Sequence, residues 1–587
     1  MDKVRTKAKY RTKPYFLSIL CVFLFSIVNY FTLDIKTQKI KNCFYCLLAN
    51  MKISIGFSWA AGTWVNTSGM LLGQLLSSKW YTVLGDKEYA SIIKGDNNNF
   101  FLYISDEHPS ITQTIHHFFP FDEYSVSKNS KIYNLKKIHP LKDTTIKYKN
   151  VYFFWASLKL LGIDREEWEK LLTAQFVGDV LNDNIATLSK WYAYFKTPIY
   201  DLSKNIWPAK SFVFWNEMIG TWAIAAGMDF YSAYPMTPAS SLIDVIVDHK
   251  EVTFFQWEDE IAVSMAMLGA KFAGKRAMCG TSGGGFALMT ESISFSNIAE
   301  LWWVYILSQR DGPSTGTPTY TGQSDLNYAL NSSFGDTYPI VLAPSTFEEW
   351  YALIWKALNR SDVYQHPLIF LIDKQLSESY LSVDKSTLLS YPINRWKLQN
   401  TWSEWYKRYL LSDDWISPIT LPGTENGEFI ATSYEHDEYG ATNEDPLIKK
   451  QQQDKRFKKL ETFVQQEFTK DFYGYEIINP EAKEFFVTFG VNRYVIEEYI
   501  RTKNKKSVKY GLIVIKCLQP LDMRLKEFLD VHVKQIKKLI FVEMNYSWQF
   551  QELITNKCWL HDKKWNNKIT NIRKYTLYPI FAEDIII

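Results

Sequence analysis

Cysteine is scarce in this chain of 587 residues: Cys21, Cys43, Cys46, Cys279, Cys517 and Cys558 are all it has. Their scatter excludes a disulfide framework and the spacing of an iron–sulfur cluster. Cys43-x-x-Cys46 has no second pair to complete four metal ligands and reads as two unrelated cysteines. A reducing, cytoplasmic setting suits that pattern. Neither sign of charge prevails, with 66 basic against 63 acidic side chains and a net charge of +3. No basic stripe is present, which argues against a nucleic-acid partner. Glycine is also thin: 26 residues against 21 tryptophans, a ratio that bears on the turns discussed below.

Long apolar runs are absent apart from one, Tyr15 to Leu33, which lies between basic residues and the lysine-rich stretch from Lys36 to Lys41. It has the length of a signal-anchor or membrane span, about 20 residues. The competing reading, favoured because nothing downstream looks secreted or membrane-bound, starts the protein at Met51 and makes residues 1–50 an extension of doubtful reality. What remains is rich in apolar residues (47%) and moderately charged (22%), as globular domains are. At roughly 150 residues per domain, it has room for about three or four.

The pattern is α/β throughout. Ile53 to Phe57 reads as a strand, and a helix follows with apolar positions at Val65, Met70, Leu71, Leu75 and Leu76. DREEWEK, from Asp164, marks a helix start with acidic residues in its first turn. After a polar linker, the runs YSAYP, VTFFQ, RAMC, WVYIL, IVLA and LIFLI alternate with helical stretches, the pattern of a parallel sheet covered on both faces. A polar, aromatic connection then contains KKQQQDKRFKKLETF, a charge run expected to be a solvated helix face. FFVTFG, YGLIVIK and KLIFVEMN are strands of a final unit. The expected limits are 51–204, 211–391, a connection over 392–483, and 484–587.

Three segments carry chemistry. Tyr234-Pro-Met-Thr-Pro238 closes a strand with two prolines that stiffen the loop around Thr237. Glu258-Asp259-Glu260 opens an alanine-rich helix, where plain capping of the positive helix end is the competing explanation. Thr281-Ser-Gly-Gly-Gly285 joins a strand to a helix and offers backbone N–H groups to an anion.

In this order, AYPMTPAS, QWEDEIA, TSGGGFALM and QRDGPSTGTPT resemble the pyrimidine-domain motifs of the α subunit of 2-oxoacid:ferredoxin oxidoreductases. GFSWAAGTWVNTSGMLL with EYASIIKG looks like that family's γ domain, here fused in front; SDDWISP, LPGT and TSYEHDEYG look like its connection, and VEMNYSWQF like its C-terminal E-x-N-x-S-G-Q segment. The resemblance implies three doubly wound α/β domains: a γ domain, a pyrimidine-type thiamine diphosphate domain and a transketolase-C-terminal-like domain. It implies oxidative decarboxylation of a 2-oxoacid, with coenzyme A as acyl acceptor and ferredoxin as electron acceptor. Glu260 is then the carboxylate that bonds the cofactor's aminopyrimidine ring nitrogen, and Tyr234, Pro235, Ser282 and Gly283 line the cofactor. Arg310 grips the substrate carboxylate, helped by Thr237 and Thr319. The alternative for Arg310 is a surface ion pair with Asp311. No Gly-Asp-Gly with a downstream Asn occurs, since Gly95-Asp96-Asn97 lacks the second glycine, and no clustered cysteines occur. Magnesium and the iron–sulfur cluster are therefore expected on a β subunit, and this chain supplies no metal ligand. Rival readings are an indolepyruvate-type relative, and a membrane-anchored, non-catalytic assembly subunit resting on Tyr15 to Leu33.

Departures from the family run to tryptophan. Trp59 and Trp64 stand at small-residue positions of the γ-domain turn, Trp215 and Trp222 at glycines of the G-N-E helix, Trp415 at the glycine of E-D-G-I-S-P and Trp548 at that of N-x-S-G-Q; Trp302 and Trp303 lie side by side before a strand. An indole cannot replace a glycine that supplies positive φ or close backbone approach. One cause would account for all, UGA codons that the organism decodes as glycine; the alternative is an aromatic-rich but genuine sequence. Strain is expected wherever tryptophan occupies such a turn.

Overall fold

The computed structural model describes residues 52–586 apart from 61–64, 90–96, 106–110, 112–114, 121–130, 133–150, 192–196, 204–208, 389, 396, 402–404, 470–473, 506 and 566. The apolar run, the Cys43–Cys46 pair, the choice of start, Gly95, Asp96 and Trp64 lie outside the described residues. Among those described, no helix is long and apolar enough to cross a membrane.

Every apolar run read as a strand between residues 211 and 391 is one. With Cys517–Gln519 added at one edge, these six form a seven-stranded sheet in the order Cys517–Gln519, Ile340–Leu342, Leu368–Asp373, Val304–Gln309, Ala277–Thr281, Phe230–Ala233 and Thr253–Gln256. All pairs are parallel except the one made by Cys517–Gln519. Val304–Gln309 and Leu368–Asp373 are buried at every position, because helices cover both faces of a parallel sheet. Thr253–Gln256 is the exception, an exposed edge beside the helix that Glu260 opens.

The N-terminal sheet also has seven strands: Lys131–Ile132, His117–Pro120, Lys52–Ala60, Asn97–Ser105, Thr82–Glu88, Tyr380–Val383 and Ser211–Phe214. Its pairing is mostly antiparallel. The chain between Thr82–Glu88 and Asn97–Ser105 is too short for the crossover a parallel neighbour needs, so the two pair as a hairpin. Ser211–Phe214 and Tyr380–Val383 belong by sequence to the second unit, yet they hydrogen-bond into this first sheet. A third sheet of five strands runs Tyr475–Ile478, Tyr510–Ile515, Glu484–Thr488, Lys538–Glu543 and Ile569–Arg573, with only the first antiparallel. Leu84, Phe101 and Phe118 share one core with Ile306 and Phe370, while Val341 and Leu371 share another with Phe485 and Val487.

The charge run departs from expectation. It forms the helix Pro446–Glu467, capped by Asp445, but Lys455, Arg456 and Lys459 are buried. Lys455 and Lys459 both reach the fully buried Glu300, the latter at 3.0 Å, and Arg408 donates to the Glu300 carbonyl at 2.6 Å. Arg456 makes a fork on Glu435 at 3.0 and 2.8 Å. Composition marks this run as solvated; the anion that draws it inward lies more than a hundred residues earlier.

Candidate active site

The site is built on the start of the helix Glu260–Phe272. Asp259 is extended, and its Oδ1 accepts the Ala262 N–H at 2.8 Å, so Asp259 is the cap and Glu258 is exposed. Glu260 is thereby released from capping, becomes the first helical residue, and turns inward to 3% exposure. Its Oε1 accepts no hydrogen bond from any described residue. Burial pushes the carboxyl upward and Asp259 adds to this, while its own amide, Thr281 and Arg310 pull it back.

Room for that carboxylate comes from the glycine turn. A Cβ at Gly285 would lie 2.1 Å from Glu260 Oε1 and 2.3 Å from Thr281 Oγ1, so any other residue there would displace the carboxylate or the hydroxyl. Ser282 is fully buried at the start of the helix Gly283–Leu288, and its hydroxyl has no hydrogen-bond partner among the described residues. Gly283 faces another carboxylate: its Cβ would meet Asp325 Oδ2 at 2.5 Å. The turn read from sequence as an anion cradle thus packs two carboxylates of the chain itself.

Arg310 follows the strand Val304–Gln309 and is buried, so the surface pair with Asp311 does not form; Asp311 instead accepts from Thr317 Oγ1 at 2.6 Å. Arg310 Nη1 donates to the Thr237 carbonyl at 2.9 Å, which ties the Tyr234–Pro238 loop to the Glu260 cluster. Its Nε is buried without a partner, which leaves the Nε–Nη2 edge for a carboxylate. Burial lowers the affinity of Arg310 for its proton, and Asp325 and Glu260 oppose this only in part. Tyr234 and Pro235 are exposed at the rim and Thr237 is half-buried. Thr319 is buried in a loop whose Thr317 and Tyr320 backbones bracket Asp311 at 3.0 and 3.1 Å.

Reasoning from sequence marked the Thr281–Gly285 turn as an anion cradle but not that Thr281 and Gly285 face Glu260, and it missed Asp325 and what the C-terminal motif does. Asn545 Nδ2 donates to the Gln323 carbonyl at 3.1 Å, while Gln549 donates to the Ser324 carbonyl at 2.8 Å and accepts from the Asn327 amide at 2.9 Å. The motif therefore clamps the segment that carries Asp325. Its spacing was visible in the sequence; its target was not.

Residues 222–455 match the family model described as pyruvate flavodoxin/ferredoxin oxidoreductase, thiamine diphosphate-binding. The chain is 31% identical to 2-oxoacid:ferredoxin oxidoreductase 2, subunit alpha, of Aeropyrum pernix over 429 residues, 68% of this chain and 65% of that one. With 2-oxoacid:ferredoxin oxidoreductase subunit alpha of Saccharolobus solfataricus, identity is 29% over 598 residues, covering 86% of this chain and 93% of the relative. In three dimensions it is similar to 2-oxoglutarate:ferredoxin oxidoreductase from Magnetococcus marinus, solved with 2-oxoglutarate, coenzyme A and succinyl-CoA bound. That likeness has a TM-score of 0.79 and 25% identity, and it covers 91% of this chain and 98% of the other. The motifs around Glu260, the parallel sheet that presents them and these relatives agree: the chain belongs to the alpha-subunit family of the 2-oxoacid:ferredoxin oxidoreductases.

Proposed function

We propose that this chain contributes half of a thiamine diphosphate site, completed by a β subunit, for oxidative decarboxylation of a 2-oxoacid to its acyl-CoA with electrons passed to ferredoxin. The observation that carries the reading is Glu260: a buried carboxylate with an oxygen that lacks a donor, in a space that glycine leaves open. A buried acceptor left unpaired costs about 1–3 kcal/mol, and more when charged, so such an oxygen suits an incoming N–H. The ring nitrogen of the cofactor's aminopyrimidine supplies one. When bound, the cofactor supplies the carbon nucleophile and the electron sink. Glu260 then holds the proton at that ring nitrogen, and Arg310, braced on Thr237, offers its free edge to the substrate carboxylate. Tyr234, Pro235, Ser282, Gly283 and Thr319 line the surroundings in this reading.

The need for a partner is supported by the surface around Glu260. Phe255 on the edge strand, Ile261 and Met265 on the Glu260 helix, and Leu288 on the next helix are each about half exposed. Exposed apolar side chains on the elements that carry the half-site suit a docking subunit. Magnesium, the diphosphate grip and the iron–sulfur cluster are assigned to that subunit, because the sequence holds no motif for them. Residues 51–204 act as the γ domain, and the complex works in the cytoplasm. In the co-expressed pair, Glu260→Gln is expected to lower substrate-dependent ferredoxin reduction by about 10²–10⁴-fold. Full activity in that variant would overturn the assignment.

We further infer that several tryptophans are glycine in the native polypeptide, decoded from UGA. In support, four of the twelve described non-glycine residues with positive φ are tryptophan: Trp80 (81°), Trp415 (64°), Trp548 (60°) and Trp559 (58°). That conformation costs a residue other than glycine about 1–3 kcal/mol. Trp415 and Trp548 are positions where the family motifs carry glycine; Trp80 and Trp559 extend the set. Trp215 and Trp222 bury indole N–H groups without an acceptor among the described residues, as Trp257, Trp303, Trp350, Trp355 and Trp565 also do, so this feature does not by itself separate them. Trp302 differs, since it donates to Asp362 at 3.1 Å. Mass spectrometry of native peptides across residues 415 and 548 tests the reading; an indole mass at both positions sinks it.

A further inference from the structure

Gln323 is fully buried, and each of its polar groups is engaged. Its amide donates to the Met544 carbonyl at 2.7 Å, and its carbonyl accepts from Asn545 Nδ2 at 3.1 Å. Its Oε1 accepts from the Met544 amide at 3.2 Å and from Asn492 Nδ2 at 2.9 Å. Two donors on that oxygen fix the side-chain amide, so Nε2 is the group that meets Asp373 Oδ2 at 3.3 Å. Asp373 ends the central strand Leu368–Asp373, Asn492 opens the helix Asn492–Lys503, and Met544 follows the strand Lys538–Glu543. Gly490, at φ 64°, closes on the same bond: a Cβ there would lie 3.1 Å from Nε2 and 3.4 Å from Asp373 Oδ2. One glutamine thus joins the end of the central sheet to two elements of the C-terminal region. A buried polar hub bonded at every group holds a single arrangement, since any shift leaves a group unpaired.

What this hub holds is the segment against which Arg310 lies. The residues before and after Arg310 are bonded to that segment on either side of Gln323. Gln309 Oε1 accepts the Asp325 amide at 3.0 Å, and the Asp311 amide donates to the Tyr320 carbonyl at 3.1 Å. Gly322 packs on Arg310 itself, for a Cβ there would be 3.2 Å from the Arg310 carbonyl oxygen. Arg310 is buried and its Nη1 is bonded to the Thr237 carbonyl at 2.9 Å, so its free edge meets a ligand only where the main chain puts it. We propose that Gln323 is a positioning residue for substrate binding: through residues 320–325 it fixes the Arg310 main chain to the C-terminal region, and so sets where the guanidinium edge meets the carboxylate of the 2-oxoacid. The inference rests on the reading of Arg310 as the substrate's partner.

Gln323→Met keeps the length of the side chain and the backbone bonds but removes every side-chain bond. In the intact α–β enzyme it is expected to raise KM for the 2-oxoacid about 10- to 100-fold and change kcat little, because a misplaced grip weakens ground state and transition state alike. Gln323→Glu keeps both bonds on Oε1 and makes the tie to Asp373 titratable. Burial pushes the Asp373 carboxyl up to about 6, with bonds from Leu376, Gln323 and Val491 and the charge of Lys374 opposing. In that variant a proton shared between the two carboxyls restores the tie near pH 6, and its loss at higher pH sets two buried anions against each other. KM is therefore expected close to the wild-type value near pH 6 and to climb as pH rises. The wild-type tie has no such limb, since Asp373 accepts from an amide in either protonation state. A merely structural glutamine would lower the melting temperature and leave KM where it was. That outcome in Gln323→Met, beside a raised KM in Arg310→Lys, overturns the role of Gln323 and leaves that of Arg310 standing. An unchanged KM in Arg310→Lys sinks the substrate reading beneath both. If Gln323→Met does not fold, Gln323→Glu decides: a KM that stays at the wild-type value across the pH range overturns the proposal.

Discussion

One methyl group at residue 285 is enough to probe how the half-site is built. In Gly285→Ala the new Cβ meets Glu260 Oε1 and Thr281 Oγ1 at 2.1 and 2.3 Å, so one of those side chains must move. Because Thr281 belongs to the buried strand Ala277–Thr281, the carboxylate is the group that yields. The expected result is a protein destabilised by about 1–3 kcal/mol, with ferredoxin reduction lost as severely as in Glu260→Gln. Thermal melts and steady-state rates on one preparation check both halves; full activity with an intact fold would show that Glu260 need not sit where it does. At this scale the sequence went part of the way. E-D-E at a helix start exposed Glu260 and its capping neighbour, because local chemistry sorts them. It could not show that Asp325 shares the turn, because a lone Ser-Asp-Leu carries no pattern.

Among elements, the helix Pro446–Glu467 is held by charge rather than by an apolar stripe. Glu300, fully buried, is surrounded by Lys455, Lys459 and the Arg408 side chain, which hold its carboxyl well below the ordinary range although burial opposes them. Glu300→Gln leaves two lysines buried without an anion, and breaking such a set costs about 3–5 kcal/mol. Urea unfolding is the measurement, and a change below about 1 kcal/mol would show that water compensates those lysines. Acid should act on the same helix through Glu435. Burial opposes ionisation there too, yet Arg456 and Lys449 bring the carboxyl from 4.5 down to about 2. A depressed carboxyl contributes stability that is complete above its unfolded value and disappears as pH falls through the folded one. Stability should therefore decline from about pH 4.5 towards 2, and Glu435→Gln should flatten that decline in melts taken across the range. Composition alone misjudged this helix, since lysines four apart look solvated until the buried anion opposite them is known.

For the whole molecule, the telling feature is how far apart in sequence the parts of the site are. Gln549 lies 225 residues from Ser324, whose carbonyl it binds at 2.8 Å. Gln549→Ala removes that bond and the one to the Asn327 amide, and it should cost about 1–3 kcal/mol while raising KM for the 2-oxoacid. A fall in melting temperature with no change in KM would reduce the C-terminal motif to scaffolding. The three larger sheets meet in the same way: Tyr380–Val383 leaves the run of the central sheet to pair with Thr82–Glu88, and Cys517–Gln519 comes from the C-terminal region to edge the central sheet. By itself the sequence determined the strands, the helix starts, the order of motifs and the family, because burial on both faces and capping are written in short windows. Tertiary structure alone decided which carboxylates share the glycine turn, which anion buries the lysines and which distant segment clamps the site, since each depends on groups tens to hundreds of residues apart meeting where water is excluded.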